Sequence, residues 1–293
     1  MGMLHPQRHW QPLTTALLLA IGCCAAPAPA QEVQRIVSLA PSVTETVFAL
    51  GVGDRLVGVS VYCDYPPEAQ RIERVGTFLT PNVEAIVAKH PDLIIAVPSP
   101  GNQSYVQALE RLGFKLLLVD PQSIAEIKDA MIVVARALGR EPVGHELVRR
   151  IDAQMAATRE IVAGAPVRRV LMVVGQTPLI AVGGGTFQDE LIRMAGGSNV
   201  AAGAGGTWPH LSVEFAIAAA PEVIIDTTMG NEERAGAAAA LGFWASFTTI
   251  PAVRAQRVYG FRAYQLLRPG PRIAEAFDAI ARFIHPERFA GRA

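Results

Sequence analysis

Six aromatic residues, Tyr62, Tyr65, Phe78, Trp208, Phe261 and Tyr264, fall in loops or at the carboxyl ends of apolar runs that read as strands. Ligands of parallel α/β sheets bind in the crevice outside those strand ends. Flat rings give large contact area at little cost in side-chain entropy, which suits a big planar or amphipathic ligand. Arg268, in Arg268-Pro269-Gly270-Pro271-Arg272, could add one positive charge. The signatures of catalysis are missing by contrast. The chain has no nucleophile elbow, no GxxxxGK phosphate cradle and no HExxH. Gly183-Gly184-Gly185 precedes a helix, but no basic residue follows to pair with a phosphate, so it reads as a tight turn. His90, His145, His210 and His285 stand singly, without a second ligand three or four residues on, and predict no metal cluster. An exported α/β enzyme using Ser42 or His210 would need a base within reach of a nucleophile, and the sequence supplies none.

Two stretches that position these groups are copies of each other. Val83 to Ile95 and Val213 to Ile225 run in step at an offset of 130 positions, each behind a helix-capping residue, Asn82 or Ser212. Both read as a short helix, a proline that ends it, an acidic residue and a buried strand. Thr77-Phe78 precedes the first copy as Thr207-Trp208 precedes the second, and Glu84 and Glu214 occupy the same place in both. Around the copies, apolar runs at Arg35 to Ala40, Leu56 to Ser60, Leu93 to Val97, Lys115 to Val119, Arg169 to Val174 and Arg257 to Phe261 alternate with helical patterns. This alternation over short connections predicts parallel sheets covered on both faces. Ser42, with Glu45 three residues later, and Ser123, with Glu126 three residues later, read as capping boxes. Between the two halves, Leu147, Ile151, Met155, Thr158 and Ile161 predict one helix of about 20 residues, roughly 30 Å long. The expected fold is α/β: two Rossmann-like lobes with parallel sheets, joined by one long rigid backbone helix. The expected boundaries are a lobe over 31–140, the helix over 141–164 and a lobe over 165–293.

Residues 1–30 read as a signal peptide. Arg8 is followed by an apolar run of about a dozen residues from Leu13, and Ala28-Pro29-Ala30 offers a small-x-small cleavage site. Ala20-Ile21-Gly22-Cys23 supports a second reading, in which Cys23 is lipidated and tethers the protein. Without Arg8 the chain carries 25 basic and 26 acidic residues, so no basic excess exists to hold nucleic acid. Cys63 alone then remains, which excludes an intrachain disulfide and makes it a small buried residue.

The segments Arg35 to Glu45, Val57 to Pro67, the first repeat, Trp208-Pro209 with the second repeat, and Pro271-Arg272-Ile273 resemble one family over essentially the whole mature chain. It is that of the periplasmic substrate-binding proteins of ABC importers built on a rigid helical backbone. Their ligands are cobalamin, haem and ferric siderophores, and the Tyr62-x-Asp64-Tyr65-Pro66-Pro67 pattern is similar to the cobalamin branch. The resemblance implies a monomeric receptor without catalysis or a resident cofactor, which passes a cobalamin or similar corrinoid to an inner-membrane permease. Haem or a siderophore is the alternative ligand. It implies that Tyr62, Phe78 and Trp208 line a cleft over the corrin ring, with Ile180, Tyr264 and Arg268 as further ligand contacts. Phe78 stands where the family has tryptophan and Ile180 where it has phenylalanine, and the paired cysteines of the second lobe are absent. It also implies that Glu84 and Glu214 dock on arginines of the permease. The alternative for both glutamates is stabilisation of the helix dipole by ~0.3–1 kcal/mol.

Overall fold

The computed structural model describes residues 32–228, 240–261 and 263–291, without the side chains of Ala263 and Tyr264. The expected signal peptide, Cys23, and the turn Met229-Gly230-Asn231 with the start of the alanine-rich helix after it lie outside these residues. From Glu32 onward the chain forms one compact unit.

Its first half builds a four-stranded parallel sheet in the order β2-β1-β3-β4, from β1 (Ile36–Ser38), β2 (Leu56–Val59), β3 (Leu93–Ala96) and β4 (Leu116–Leu118). The strands are apolar on both faces because both are covered. Ile36, Leu93 and Ile95 face the core shared with the rest of the molecule. Val37, Ile94 and Ala96 face outward against Ile86 of α2 (Val83–Ala88) and Leu109 of α3 (Gln103–Arg111). Helix α1 (Pro41–Ala49) follows β1 and begins two residues earlier than the sequence suggests. Its N-cap is Ala40, with Pro41 in the first turn where a missing N–H costs nothing. Ser42 is therefore inside the helix, and Glu45 is free for other partners.

Helix α4 (Ile124–Ala137) starts with the expected capping box of Ser123 and Glu126. Helix α5 (Glu141–Val162) is the long connector, 22 residues or roughly 33 Å. It buries Leu147, Ile151, Met155, Thr158 and Val162 along one stripe. Gly144 near its start lets α4 approach closely, since a Cβ there would lie 2.5 Å from the Ala135 Cβ.

In the second half the sheet is mixed, which corrects the expectation of a purely parallel one. The order is β10-β9-β5-β6-β8, with β7 also on β5. Strands β5 (Arg168–Gln176), β7 (Gly197–Asn199), β9 (Val223–Asp226) and β10 (Val258–Gly260) pair in parallel. Strands β6 (Leu179–Ala181) and β8 (His210–Leu211) add an antiparallel edge. The cause is the short turn at Thr177-Pro178, which folds the chain straight back on β5, where a crossover helix would be needed for a parallel neighbour. Helices α6 (Phe187–Met194), α7 (Val213–Ala219), α8 (Pro251–Arg254), α9 (Ala263–Leu267), α10 (Ile273–Ile284) and α11 (Pro286–Phe289) belong to this half, and residues 240–245 are also helical. Val170, Met172, Val223 and Ile225 share one core with α5, α10 and the first sheet, while Leu171, Val173 and Ile224 pack outward against Trp244 and Ile250.

The duplication persists in backbone detail. Asn82 and Ser212 each accept the third helical N–H, from Ala85 and Phe215. His90 and Ala220, 130 positions apart, both take left-handed conformations ahead of their prolines. Asp92 accepts from the backbone of Arg35 while Arg35 donates to the Lys89 carbonyl; Glu222 and Arg169 repeat the arrangement around Ala220.

Candidate functional site: the cleft between the two sheets

The turn after β1 and the ends of β3 and β4 open onto a cleft of ≈ 420 Å³, whose far wall comes from the second half of the chain. Ala40, Pro41, Ser42, Phe78, Val97, Asp120 and Pro121 form one side; Thr186, Phe187, Gln188, Thr207, Trp208 and the strap Leu267–Pro269 form the other.

Phe78 sits at the tip of a tight turn. Gly76 takes φ +96 beside Asn82 N and Thr80 O, and Thr77 and Thr80 hydrogen-bond through their hydroxyls. The buried Asn102 amide donates to both the Phe78 and Val97 carbonyls at 2.9 Å, tying the turn to the end of β3. Trp208 is the counterpart at the same 130-residue offset. Its loop is pinned by Gly183 N–H to Thr207 O, 2.9 Å, and Ala181 N–H to Pro209 O, 3.1 Å. The Trp208 side chain remains 46% exposed, as does Tyr62 at 48%. Tyr62 lies edge-on to Phe78 with ring centroids 6.3 Å apart. Leu79, on the same turn as Phe78, is also exposed and had no signal in the sequence beyond its neighbour. Gln188, buried at the start of α6, lines the wall, and its side-chain oxygen has no protein partner among the described residues.

The structure thus brings Phe78 and Trp208 into one cleft, with Tyr62 beside Phe78. Two other aromatics lie elsewhere. Tyr65 is not in the cleft lining and has the Arg272 guanidinium 4.1 Å over its ring. Phe261 packs on Phe283. Tyr264 belongs to α9, but its side chain lies outside the described residues. Ile180 is half-buried on β6 opposite His210 and is not in this wall.

Arg268 does line the cleft, yet its guanidinium is committed to the protein. It reaches Glu45 at 2.9 Å, Asp64 at 2.7 Å and the Tyr62 carbonyl at 3.0 Å. Arg272 adds a two-pronged bond to the same Glu45 carboxylate, at 2.8 and 2.9 Å. Burial works against the Arg272 charge, but the Glu45 hydrogen bonds and charge outweigh it and leave its pKa raised. Glu45 therefore serves as a buried anchor rather than a capping-box partner. Arg272 and Asp64 are site residues that local spacing could not reveal. Cys63 is fully buried beneath this loop, 3.1 Å from Thr44 Oγ1, and burial pushes its thiol pKa up despite hydrogen bonds from Ser60 and Thr44.

Glu84 and Glu214 are both exposed in the first turns of α2 and α7. The Glu214 carboxyl is held below its ordinary pKa by its own backbone N–H and by the Ser212 hydroxyl. No group of three or more His, Cys, Asp or Glu suited to a metal ion occurs among the described residues.

Two α/β halves around one continuous helix, with residues of both lining a common cleft, define a bilobed solute receptor. Comparison with known proteins agrees: residues 36–264 match the periplasmic binding protein family model, and the chain belongs to that family. Membership places it among binding proteins, not enzymes, so Ser42 and His210 have no catalytic part. The vitamin B12-binding protein of Vibrio vulnificus (strain CMCP6) is 30% identical over 265 residues, 90% of this chain and 93% of that one. The protein of the same name from Yersinia pestis (strain Pestoides F) is 32% identical over 225 residues, 77% and 79% of the two chains. Among solved structures, the periplasmic vitamin B12-binding protein of Vibrio cholerae superposes with TM-score 0.77 at 29% identity, covering 87% of this chain and 97% of that one. A periplasmic haem-binding protein of Roseiflexus sp. RS-1 gives TM-score 0.76 at 28% identity, with 87% and 99% covered.

Proposed function

We propose that this chain is an exported receptor that captures cobalamin or a related corrinoid in the cleft and delivers it to an ABC importer. The observation that carries the reading is the pair Phe78 and Trp208, one from the loop before each repeat, in the walls of a single cleft, with Tyr62 edge-on to Phe78. Exposed rings on rigid loops suit the broad face of a macrocycle, where contact area outweighs any single hydrogen bond. The named function of the relatives in Vibrio and Yersinia supports the choice of ligand. Arg268 then contributes through the Tyr62 loop, and Ile180 and Tyr264 remain outer contacts of the same proposal. The lobe and helix boundaries at 31–140, 141–164 and 165–293 follow the two sheets and α5, and the receptor acts as a monomer. Because α5 packs along its length on α4 and α10, closure around the ligand is small.

Residues 1–30 direct export to the periplasm, with tethering through Cys23 as the alternative. Glu84 and Glu214, equivalent and exposed beside the cleft-forming loops, dock on the permease. Glu84→Arg and Glu214→Arg should keep ligand affinity and abolish uptake; uptake at the wild-type rate would remove that role. Haem is the second reading, favoured by the equal structural similarity to haem-binding receptors. Calorimetric titration of the mature chain with cyanocobalamin and with haemin separates the two. Binding of cobalamin at ~10 µM or tighter, about 7 kcal/mol, supports the first reading. Binding of haemin alone overturns it.

A further inference from the structure

We propose that Arg268 and Glu45 are positioning residues that set the aromatic wall of the cleft, Arg268 reaching it from the opposite lobe, an inference that rests on the receptor function above. The strap that carries Arg268 leaves the second lobe after α9 and crosses directly over the first turn of α1. The approach is so close that a Cβ on Gly270 would lie 3.3 Å from the Ser42 Cα. Glu45 points up from α1 into this crossing with its side chain only 2% exposed. Its two oxygens take three hydrogen bonds, one from Arg268 and two from Arg272.

Charged groups so deeply buried are costly to desolvate, and the attraction between them repays this only in good geometry. Two lobes seamed by such a network are held at one spacing, since sliding apart would strand a buried charge. Arg268 carries that spacing outward by gripping Asp64 and the Tyr62 carbonyl. The neighbouring carbonyls of Ser60 and Cys63 are held by Arg74 at 3.1 and 2.8 Å, from within the first lobe. The Tyr62 loop is thus clamped on both sides, and one of the clamps belongs to the other lobe. The consequence is that Tyr62, which touches ligand, is registered against Trp208, which touches it from across the cleft.

A double-mutant cycle between Arg268→Lys and Tyr62→Ala tests this, using whichever of cyanocobalamin and haemin the wild type binds. Lysine keeps the charge but loses the planar fork that serves three acceptors at once. Arg268→Lys should weaken binding about tenfold in the wild-type background and add nothing in the Tyr62→Ala background. Equal losses in both backgrounds overturn the inference. Glu45→Gln, which preserves shape, should behave like Arg268→Lys. Hydrogen exchange of the unliganded variants gives a second readout, independent of ligand. The Val61–Tyr65 amides should exchange faster while β1 and β3 stay protected, and unchanged exchange at Val61–Tyr65 refutes the clamp. Binding of neither ligand by the wild type would end the functional reading, and the exchange result would still decide the positioning role.

Discussion

Replacing Gly183 by alanine should reach Trp208 without touching it. Gly183 and the loop that carries Trp208 cross backbone to backbone. A Cβ at 183 would lie 2.1 Å from the Gly206 carbonyl oxygen and 2.9 Å from Pro209 Cδ. Restoring an ordinary 3.4 Å contact moves the loop by about 1.3 Å. The Gly183 N–H to Thr207 O bond, 2.9 Å long, lies in the same crossing, and a shift of that size takes it beyond hydrogen-bonding length. Overpacking typically costs ~1–3 kcal/mol and the lost bond about 1 kcal/mol, so roughly 2–4 kcal/mol in all. For a unit of this size that lowers Tm by on the order of 5–10 °C. Displacing an anchor ring by more than 1 Å should forfeit about 2 kcal/mol of binding, roughly thirtyfold in affinity. Gly185→Ala is the control. Nothing lies within 4 Å of its would-be Cβ, but φ is +76, so it should lose ~1 kcal/mol of stability and leave affinity unchanged. Paired calorimetric titrations and thermal melts of both variants decide the matter. Wild-type affinity in Gly183→Ala, or an affinity loss in Gly185→Ala at least as large, would refute the argument.

Other consequences are simpler to test. Trp208→Ala should weaken ligand binding at least tenfold while shifting Tm by no more than about 1 °C, because the ring is 46% exposed and supports little of the core. Gly144→Ala should cost ~1–3 kcal/mol in urea unfolding, since its Cβ would meet that of Ala135 at 2.5 Å; adding Ala135→Gly should recover part of the loss if the clash is the cause. His285 is fully buried, packed against Gly196, with Arg168 and Glu287 as its charged neighbours. Burial, aided by Arg168, lowers its pKa below the unfolded value of 6.5. The unfolded chain therefore binds a proton that the folded one refuses. Stability from this residue is complete above pH 6.5 and declines as pH falls through that value, with the decline ending at the folded pKa. His285→Gln should flatten the pH dependence of the urea midpoint between pH 7 and 5, and parallel wild-type and variant curves would show that another group is responsible.

How much of this was legible in the sequence follows from how far each signal reaches along the chain. Helix periodicity and capping involve residues within about five positions, so α5, the caps at Asn82 and Ser212 and the Ser123–Glu126 box could be read directly. The duplication made the cleft legible too, because an offset of 130 carries Phe78 onto Trp208 as surely as Glu84 onto Glu214. The antiparallel edge of the second sheet was missed because β6 and β8 are three and two residues long, too short for alternation to show. Glu45 shows the limit most plainly. Three residues after a serine, it satisfies the capping-box spacing, and nothing local argues against that role. The structure gives the helix start to Pro41 and spends the carboxylate on Arg268 and Arg272, 223 and 227 positions away. Arg268 was likewise read as a charge waiting for a ligand, because its acceptors are 204 to 223 positions distant. Both contacts have one physical origin: a buried charge must find a partner, and the partner's identity is set by tertiary contact. In a duplicated fold, groups that break the repeat are therefore the ones to examine for a role in joining the two copies. Glu45, Arg268 and Arg272 stand outside the repeated segments, and they form the seam between the lobes.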